Sequence, residues 1–310
     1  MPRFSPFDYL FILRPLILIP AWNFLLIGAY MAGRQASFTI DIGIGLLAYT
    51  FVAGGGYILN QIMDIETDRM NKKLFLLTGG FVSRQAAYAE MIILWTLAIL
   101  LSLRFGLLFV VLITASILMG ILYSVPPVKL KGKPILDALA NGVGYGMINF
   151  AVGWLLVSAF APSMVIRFLP YCLSIIAVFI NTTIVDVEGD RRAGELTTGV
   201  FLGARLSSIA STLIMGGAIV LAYAQREYIC LIPAAVSWPL FVYTAGYALL
   251  RGGMNRKMTI ASFRLPGLLF TLITAFLYPV YVVVLLVILI SMRIYYKKRF
   301  GITYPTLASG

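Results

Sequence analysis

Residues 40–69 read IDIGIGLLAYTFVAGGGYILNQIMDIETDR, an apolar run that ends in three closely spaced carboxylates. The apolar part is long enough to cross a hydrocarbon core of about 30 Å, which requires ~20 residues of helix. The carboxylates therefore fall where such a helix would leave the apolar layer. This stretch predicts a membrane-spanning helix with an acidic motif at its end.

The composition of the whole chain extends this prediction. Hydrophobic residues make up 61% of the 310 residues, charged residues make up 12%, and the mean hydropathy is +0.95, whereas a soluble domain is roughly 25% charged. Because unpaired backbone groups are too costly in lipid, each long apolar segment is expected to be a helix. We predict an all-α polytopic membrane bundle of about nine transmembrane helices in a single integral-membrane domain over residues 1–310. The nine segments are 15–33, 40–59, 86–103, 105–123, 137–160, 165–185, 207–224, 229–250 and 266–292.

A second acidic motif repeats the first. Residues 182–195 read TTIVDVEGDRRAGE, and the pattern D-x-E-x-D-R recurs at an offset of 122 residues. The two motifs together hold seven of the 12 carboxylates in the chain. Repetition of a charged pattern at the ends of two apolar segments suggests two half-sites that face each other.

The aspartates of each motif are four residues apart, a spacing that places them on one face of a helix. Asp64 and Asp68 form the first pair, Asp186 and Asp190 form the second, and Asn60 extends the first stripe by one turn. The glutamate within each motif points about 200° around the helix from its neighbours. The glutamates are therefore poorer candidates for the same ligand set.

The basic residues are unevenly divided between the two sides that nine spans define. Sixteen lie on the side of the acidic motifs and four lie on the other, so the positive-inside rule predicts a multi-pass protein of the cell membrane with the motifs in the cytoplasm. The net charge of +12 follows from this bias and from attraction to membrane lipid or an anionic substrate, and no nucleic-acid binding is expected. One basic cluster disagrees, because it would lie outside if the ninth segment crosses once: Arg293, Lys297, Lys298 and Arg299.

The residue types in the motifs favour one class of metal. Histidine is absent, and both cysteines lie inside apolar segments, which leaves oxygen ligands for a hard cation. Mg²⁺ prefers such ligands and usually bridges one or two carboxylates to substrate phosphates. Two acidic helices facing each other could thus hold a diphosphate through Mg²⁺. The alternative is that these are ordinary solvated acids that balance nearby loop cations.

The stretch YSVPPVKLKGK at residues 123–133 follows the fourth apolar segment. Its prolines prevent continuation of the helix. Lys129, Lys131 and Lys133 alternate with other residues, so an extended backbone would place all three on one face. They could bind diphosphate oxygens and stabilise the charge of a leaving group, or they could be only a topological signal.

Three further polar residues stand on an apolar background. Arg14 precedes the first segment, and Asn141 and Asn149 lie in the fifth. Polar groups at membrane depth are functional candidates by default, so Arg14 is a candidate for diphosphate binding and the asparagines are candidates for acceptor binding. Interfacial snorkelling of Arg14 and interhelical hydrogen bonds of the asparagines are the alternatives.

The ordered set of motifs resembles the UbiA-type superfamily of intramembrane prenyltransferases, and the resemblance covers the whole chain. It implies a nine-helix bundle with both aspartate motifs on cytoplasmic loops. It implies that the four aspartates Asp64, Asp68, Asp186 and Asp190 are catalytic and bind Mg²⁺, with Asn60 as a further metal ligand. It also implies contacts to the diphosphate from Tyr123, Lys129 and Lys131, with weaker additions from Arg69, Lys72 and Arg191.

The chain departs from that family pattern after the first motif. Family members commonly carry a segment of the type N-K-P-x-R-P-L-x-S-G, whereas residues 71–80 read NKKLFLLTGG. Phe75 replaces the arginine and Leu76 replaces the proline, so apolar surface replaces a cationic contact, and Phe75 becomes a candidate for acceptor binding. Thr183 stands where some members have a further aspartate.

The resemblance implies Mg²⁺-dependent transfer of an isoprenyl chain from an isoprenyl diphosphate to a lipophilic acceptor through an allylic carbocation. Candidate acceptors are a quinone-precursor aromatic, a glycerol-ether lipid, a chlorin or haem, and a carotenoid. A terpene cyclase of the same architecture is one alternative. A transporter of divalent cations or anionic lipids is another, although transporters tend to place ligands near the bilayer midplane.

Overall fold

The computed structural model describes residues 5–33, 37–70 and 75–304, except for the side chains of Thr67, Met70 and Phe75. Ten successive long helical stretches account for most of these ranges. They are α1 (Pro15–Gly33), α2 (Ile40–Met63), α3 (Arg84–Ser102), α4 (Leu107–Ser124), α5 (136–155), α6 (Pro162–Arg192), α7 (Thr198–Ala224), α8 (Tyr228–Arg251), α9 (Arg256–Leu277) and α10 (Pro279–Phe300). In the part of the chain described, nine helices, all of these but α5, are long and apolar enough to cross a membrane. The prediction of an all-helical bundle with about nine spans is confirmed.

The predicted segment 266–292 is two helices rather than one. Tyr278, with φ −124° and ψ 86°, separates α9 from α10, and Pro279 is the first residue of α10. A proline disfavours helical geometry in the residue before it and cannot donate the backbone hydrogen bond that a continuous helix needs. The apolar character of the run conceals this break.

The predicted segment 137–160 is irregular and ends earlier, at residue 155. It consists of an α-helical turn at Leu136–Asn141, a π-helix at Gly142–Asn149 and a second α-helical part at Phe150–Leu155. The π-helix packs closely on α6, where a Cβ atom added to Gly146 would lie 2.5 Å from the Cα atom of Cys172. Glycine is therefore needed for this contact, and a widened turn of this kind is frequent at functional sites.

The break before α10 also explains the basic cluster near the end of the chain. The Arg299 guanidinium binds Asp8, with Nη2 2.7 Å from Oδ2, and the Tyr295 hydroxyl donates to the same carboxylate. Tyr295 shares a buried apolar cluster with Ile62, which lies two residues before Asp64. The end of α10 thus lies at the same end of the bundle as the first acidic motif, and the disagreement in the charge count disappears.

The acidic motifs lie on helices rather than on loops. α6 continues to Arg192, seven residues beyond its predicted end, so Asp186 and Asp190 occupy its last turns. Asp64 is the C-cap of α2, and Asp68 lies on the short helix Ile65–Met70 that follows. The basic residues in the last turn of α6 favour its extension, because cations stabilise the C-terminal end of a helix.

Candidate active site

A cavity of about 1280 Å³ lies between α1, α2, α4, α5 and α6. It joins the ends of α2 and α6, so both acidic motifs open into one space. Most of the predicted site residues contribute to its wall. These are Arg14, Asn60, Asp64, Asp68, Tyr123, Lys131, Asn141, Asn149, Asp186 and Asp190.

Three of the other predicted residues do not line this cavity. Lys129 does not reach the cavity itself but pairs with Glu195, which lies in the cavity wall. Arg69 and Arg191 are exposed outside the cavity. Lys72 and the side chain of Phe75 lie outside the described residues. Among the described residues, the structure thus separates the set around the cavity from Lys129, Arg69 and Arg191, which lie outside it.

The first acidic motif is already paired with a cation. The Lys131 ammonium contacts both carboxylate oxygens of Asp64, and their side chains are 11% and 19% exposed. The backbone N–H of Asp64 donates to the Asn60 carbonyl at 3.0 Å, and the Asn60 amide reaches Ser124 Oγ at 3.4 Å. These contacts fix the end of α2 against the end of α4.

The second acidic motif is more open. Asp186 is exposed and forms no ion pair with any side chain that the structure describes. Asp190 accepts a hydrogen bond of 2.9 Å from the Thr197 hydroxyl. The glutamates of the two motifs lie on the surface, where Glu66 is 80% exposed and Glu188, at the cavity rim, is 88% exposed.

The lysines of the basic loop do not share a face, which corrects the expectation of an extended backbone. Lys129 has a positive φ of 38°, and a short 3₁₀ turn at Leu130–Gly132 follows it. The turn directs Lys131 toward Asp64, whereas Lys129 binds Glu195 at 2.7 Å and Lys133 is exposed. Only Lys131 of the three lines the cavity.

The basic loop connects the two motifs. Lys131 contacts the first motif, while the loop binds the segment that follows the second through Lys129–Glu195 and through a 3.3 Å bond from the Leu196 N–H to the Gly132 carbonyl. A shift of either motif would therefore be transmitted to the loop.

Sequence reasoning missed Asp137, which anchors this connection. Its side chain is buried, and its carboxylate accepts a 2.7 Å bond from the Thr198 N–H and a second bond from the Thr198 hydroxyl. It lies in the wall of the cavity, next to Asn141 in the first turn of α5. A carboxylate in an apolar segment was the signal available, because such groups are rare at membrane depth.

Polar groups also continue along the cavity away from the aspartates. The hydroxyls of Tyr57 and Tyr145 lie 2.6 Å apart, and Tyr123 accepts a 3.2 Å bond from the Asn141 amide. All four residues line the cavity. Tyrosines in apolar segments are common, so sequence alone did not single out the Tyr57–Tyr145 pair.

The donor atoms at the acidic end suit a hard cation. All of them are carboxylate or amide oxygens, and neither Cys172 nor Cys230 contributes to the cavity wall. Among the described residues, no three acidic, histidine or cysteine side chains are close enough to form a metal site by themselves. Carboxylate and amide oxygens fit Mg²⁺, which typically takes one or two carboxylates and completes its ligand set with water and substrate phosphates.

Comparison with known proteins decides the family. Residues 21–259 match the model of the UbiA prenyltransferase family. This chain belongs to the UbiA prenyltransferase family. The predicted resemblance is confirmed, and the cavity is the candidate active site of a UbiA-family protein.

Curated UbiA relatives differ in what their names specify. Digeranylgeranylglyceryl phosphate synthase of Sulfolobus acidocaldarius is 31% identical over 189 residues, 60% of this chain and 66% of that protein. The chloroplastic 2-acyl-4-prenylphloroglucinol 6-prenyltransferase of Humulus lupulus is 28% identical over 203 residues, 63% of this chain and 47% of that protein. The alignments thus span about half to two thirds of these relatives.

Solved structures support the fold over most of the chain. A UbiA homolog from Archaeoglobus fulgidus, bound to GPP and Mg²⁺, superposes with a TM-score of 0.66 at 21% identity, covering 87% of this chain and 99% of that one. At this identity the likeness establishes the UbiA architecture of the bundle.

Proposed function

We propose that this UbiA-family protein transfers an isoprenyl chain from an isoprenyl diphosphate to a lipophilic acceptor, with Mg²⁺ as cofactor. The observation that carries the proposal is a single cavity that gathers both aspartate pairs and Lys131 at one end and continues between apolar helices. The chain acts as one integral domain of the cell membrane, with the acidic end in the cytoplasm.

The proposed ligands of Mg²⁺ are the oxygen donors at the acidic end: Asn60, Asp64, Asp68, Asp186 and Asp190. When bound, Mg²⁺ supplies charge neutralisation to the diphosphate and stabilises its leaving oxygens. The protein's own task at this end is to hold the carboxylates of two helices around one space. The anchoring contacts of Asp190 with Thr197, and of α2 with α4, serve that task.

Cationic and hydroxyl groups of the chain bind the diphosphate in this proposal. Lys131 already lies in the cavity and would extend its charge-assisted hydrogen bonds to diphosphate oxygens. Tyr123 accepts its hydrogen bond from the Asn141 amide, which leaves the Tyr123 O–H available to donate to the same group. Arg14 lines the cavity and adds a further positive charge.

Cleavage and transfer then follow from the position of the chain in the cavity. The C–O bond to the diphosphate breaks, and the diphosphate leaves with the electron pair. The allylic carbocation that remains lies between apolar walls such as those formed by Ile17, Ala53 and Met119, which exclude water. The nucleophilic atom of the acceptor forms the new bond to the chain and releases a proton.

The acceptor remains one of the candidates set out above, and the names of the relatives include both a glyceryl phosphate lipid and phloroglucinols. The test is to incubate the purified protein in lipid with labelled geranylgeranyl diphosphate and candidate acceptors, with Mg²⁺ or with EDTA. We expect Mg²⁺-dependent diphosphate release and a labelled product heavier than the acceptor. Lipid extracts of cells with and without the protein, compared by mass, identify the acceptor.

Two other results would reject the proposal, the first from this incubation and the second from a separate transport assay. A labelled cyclic hydrocarbon formed without acceptor would indicate a terpene cyclase. Proteoliposome uptake of a cation or anionic lipid that persists in Asp64→Ala and Asp186→Ala, with no diphosphate release by the natural protein, would indicate a transporter. The position of the carboxylates at helix ends favours the enzyme over the transporter.

A further inference from the structure

The cavity ends, on the side away from the aspartates, at a layer of polar side chains. On each of the helices α1, α2, α4 and α5, one lining residue is farthest from the acidic end: Ala21, Tyr49, Ser116 and Asn149. Three of these four carry a polar side-chain atom, and we call Tyr49, Ser116 and Asn149 the polar floor. Tyr49 precedes Asp64 by 15 residues, or about 22 Å along α2 at 1.5 Å per residue.

The hydrogen bonds within the polar floor are long and incomplete. Asn149 is only 1% exposed, its Nδ2 lies 3.5 Å from the Ala21 carbonyl, and its Oδ1 has no partner in the described part of the chain. The Tyr49 hydroxyl reaches Ser116 Oγ at 3.5 Å, which is also at the limit for a hydrogen bond. The Ser116 hydroxyl itself donates to the Leu112 carbonyl at 2.9 Å, so the unsatisfied hydrogen-bonding capacity of the floor lies at the Asn149 amide.

Apolar packing closes the cavity beyond the polar floor. Leu25, Phe109, Ile113 and Val152 belong to the same buried cluster as Tyr49, and all four are fully buried. A chain that entered from the acidic end would thus meet polar atoms before it met this core.

We propose that the polar floor limits the length of the prenyl chain by polarity rather than by the bulk of a side chain, an inference that rests on the proposed function. A prenyl chain is a hydrocarbon and cannot donate a hydrogen bond. A chain that ends short of the floor leaves room for water beside the Ser116 hydroxyl, which is only partly buried, whereas the Asn149 amide is enclosed. A longer chain displaces that water and places hydrocarbon against polar groups that it cannot satisfy, which is unfavourable.

The test measures the dissociation constants of a series of all-trans diphosphates, from dimethylallyl through geranyl, farnesyl and geranylgeranyl to longer chains, in Mg²⁺ and lipid nanodiscs. In the natural protein we expect affinity to rise with each isoprene unit and to stop rising at the member that reaches the floor. In Asn149→Leu, which replaces the amide by an apolar group of similar size, that member should bind about tenfold more tightly, while shorter members change less than twofold.

Two further variants keep the result interpretable. Asn23→Leu removes a buried asparagine outside the cavity, where the Asn23 amide donates to Thr271 at 2.8 Å and its carbonyl accepts from Tyr281. This variant should lower thermal stability, but the chain length at which affinity stops rising, which we call the break in the series, should not change. If Asn149→Leu does not fold, the double variant Tyr49→Phe/Ser116→Ala removes two hydroxyls from the floor and should shift the series in the same direction by a smaller amount.

Distinct failures identify which proposal is wrong. If no prenyl diphosphate binds in a Mg²⁺-dependent way, the proposed function fails, and the length limit fails with it. If the diphosphates bind but affinity rises through the longest chain, or the break stays at the same member in the floor variants, the polar floor does not limit length. If Asn149→Leu weakens every member equally, Asn149 instead contacts a part of the ligand common to all members.

Discussion

The two acidic motifs share the letters D-x-E-x-D-R but have different surroundings. Asp64 is held by Lys131 in a half-enclosed ion pair, with the two side chains 19% and 11% exposed, whereas Asp186 is exposed at the end of α6. A repeated pattern thus does not produce two equivalent half-sites. The first motif carries its own cation, and the second is open to one from solution.

This difference has an energetic meaning. A partly buried ion pair owes its stability to both partners, and removal of one leaves the other poorly solvated. Lys131 therefore balances the charge of Asp64 when no other cation is present. A Mg²⁺ ion held by Asp64 would compete with Lys131 for the same carboxylate, and a diphosphate would offer Lys131 another partner, so metal and diphosphate binding are expected to be coupled more strongly at the first motif than at the second.

The largest expected effect is loss of turnover in either motif. Asp64→Asn and Asp186→Asn should each lower kcat by at least about a thousandfold, because each removes a charge that would hold Mg²⁺ against the diphosphate. Diphosphate release at saturating Mg²⁺ is the measurement, with thermal unfolding as the check on folding.

A matched control for this prediction lies at the other end of α2. Asp41 binds Arg104 at 2.8 Å outside the cavity, so Asp41→Asn makes the same chemical change on the same helix and should retain activity. Retained activity in Asp64→Asn or Asp186→Asn would show that the two motifs do not both bind the metal.

Lys131→Gln tests whether the first motif depends on its cation. We expect kcat/KM for the diphosphate to fall by about a hundredfold, because a charge-assisted contact is lost, while half-saturating Mg²⁺ falls, because Asp64 no longer has a competing partner. Kinetics over a range of Mg²⁺ concentrations separate the two effects. Lys133→Gln, at an exposed position of the same loop, should change neither; an equal loss there would assign the effect to loop charge in general.

Thr197→Val tests how far the second motif depends on its hydrogen bond. The change removes the 2.9 Å bond to Asp190 without a large change in volume, so half-saturating Mg²⁺ should rise about threefold to tenfold, in line with the loss of one typical hydrogen bond. Thr197→Ser keeps a hydroxyl and should restore the natural value. A rise in Thr197→Ser with none in Thr197→Val would mean that packing of the methyl group, rather than the bond, holds Asp190.

The smallest effects are expected at the glutamates that make the repeat visible. Glu66→Gln and Glu188→Gln alter exposed side chains that pair with Arg69 and Arg192 at 3.4 and 3.6 Å, and exposed pairs contribute little. We expect kcat and half-saturating Mg²⁺ to stay within about twofold in each. A large loss in Glu188→Gln alone would add this rim residue to the ligand set of the second motif.

The sequence predicted the helical membrane architecture because hydropathy alone requires it. The break at Tyr278 was not predicted, although Pro279 in the middle of an apolar run was a usable signal. The π-helix in α5 was not predicted either. The π-helix depends on the close approach of Gly146 to Cys172 on another helix, and single-chain periodicity contains no information on that contact.

The candidate site shows the same division. The spacing of the aspartates placed them on common faces without knowledge of the fold. The different roles of Lys129 and Lys131 could not be predicted, because they depend on the positive φ of Lys129 and on partners more than 60 residues away in sequence, Glu195 and Asp64. The anchoring role of Asp137 could not be predicted, because its partner, Thr198, lies 61 residues away, beyond the second motif in the sequence.

The contact between Arg299 and Asp8 has a consequence for the connectivity of the bundle. Because α10 returns to the end of the bundle from which α1 starts, a short linker could join these two positions without reversing the direction of any helix. New termini could then be opened in a surface turn such as the one at Arg226, between α7 and α8, which is exposed and does not line the cavity. The chain is therefore a candidate for circular permutation, in which the order of the helices along the sequence changes while their packing stays the same.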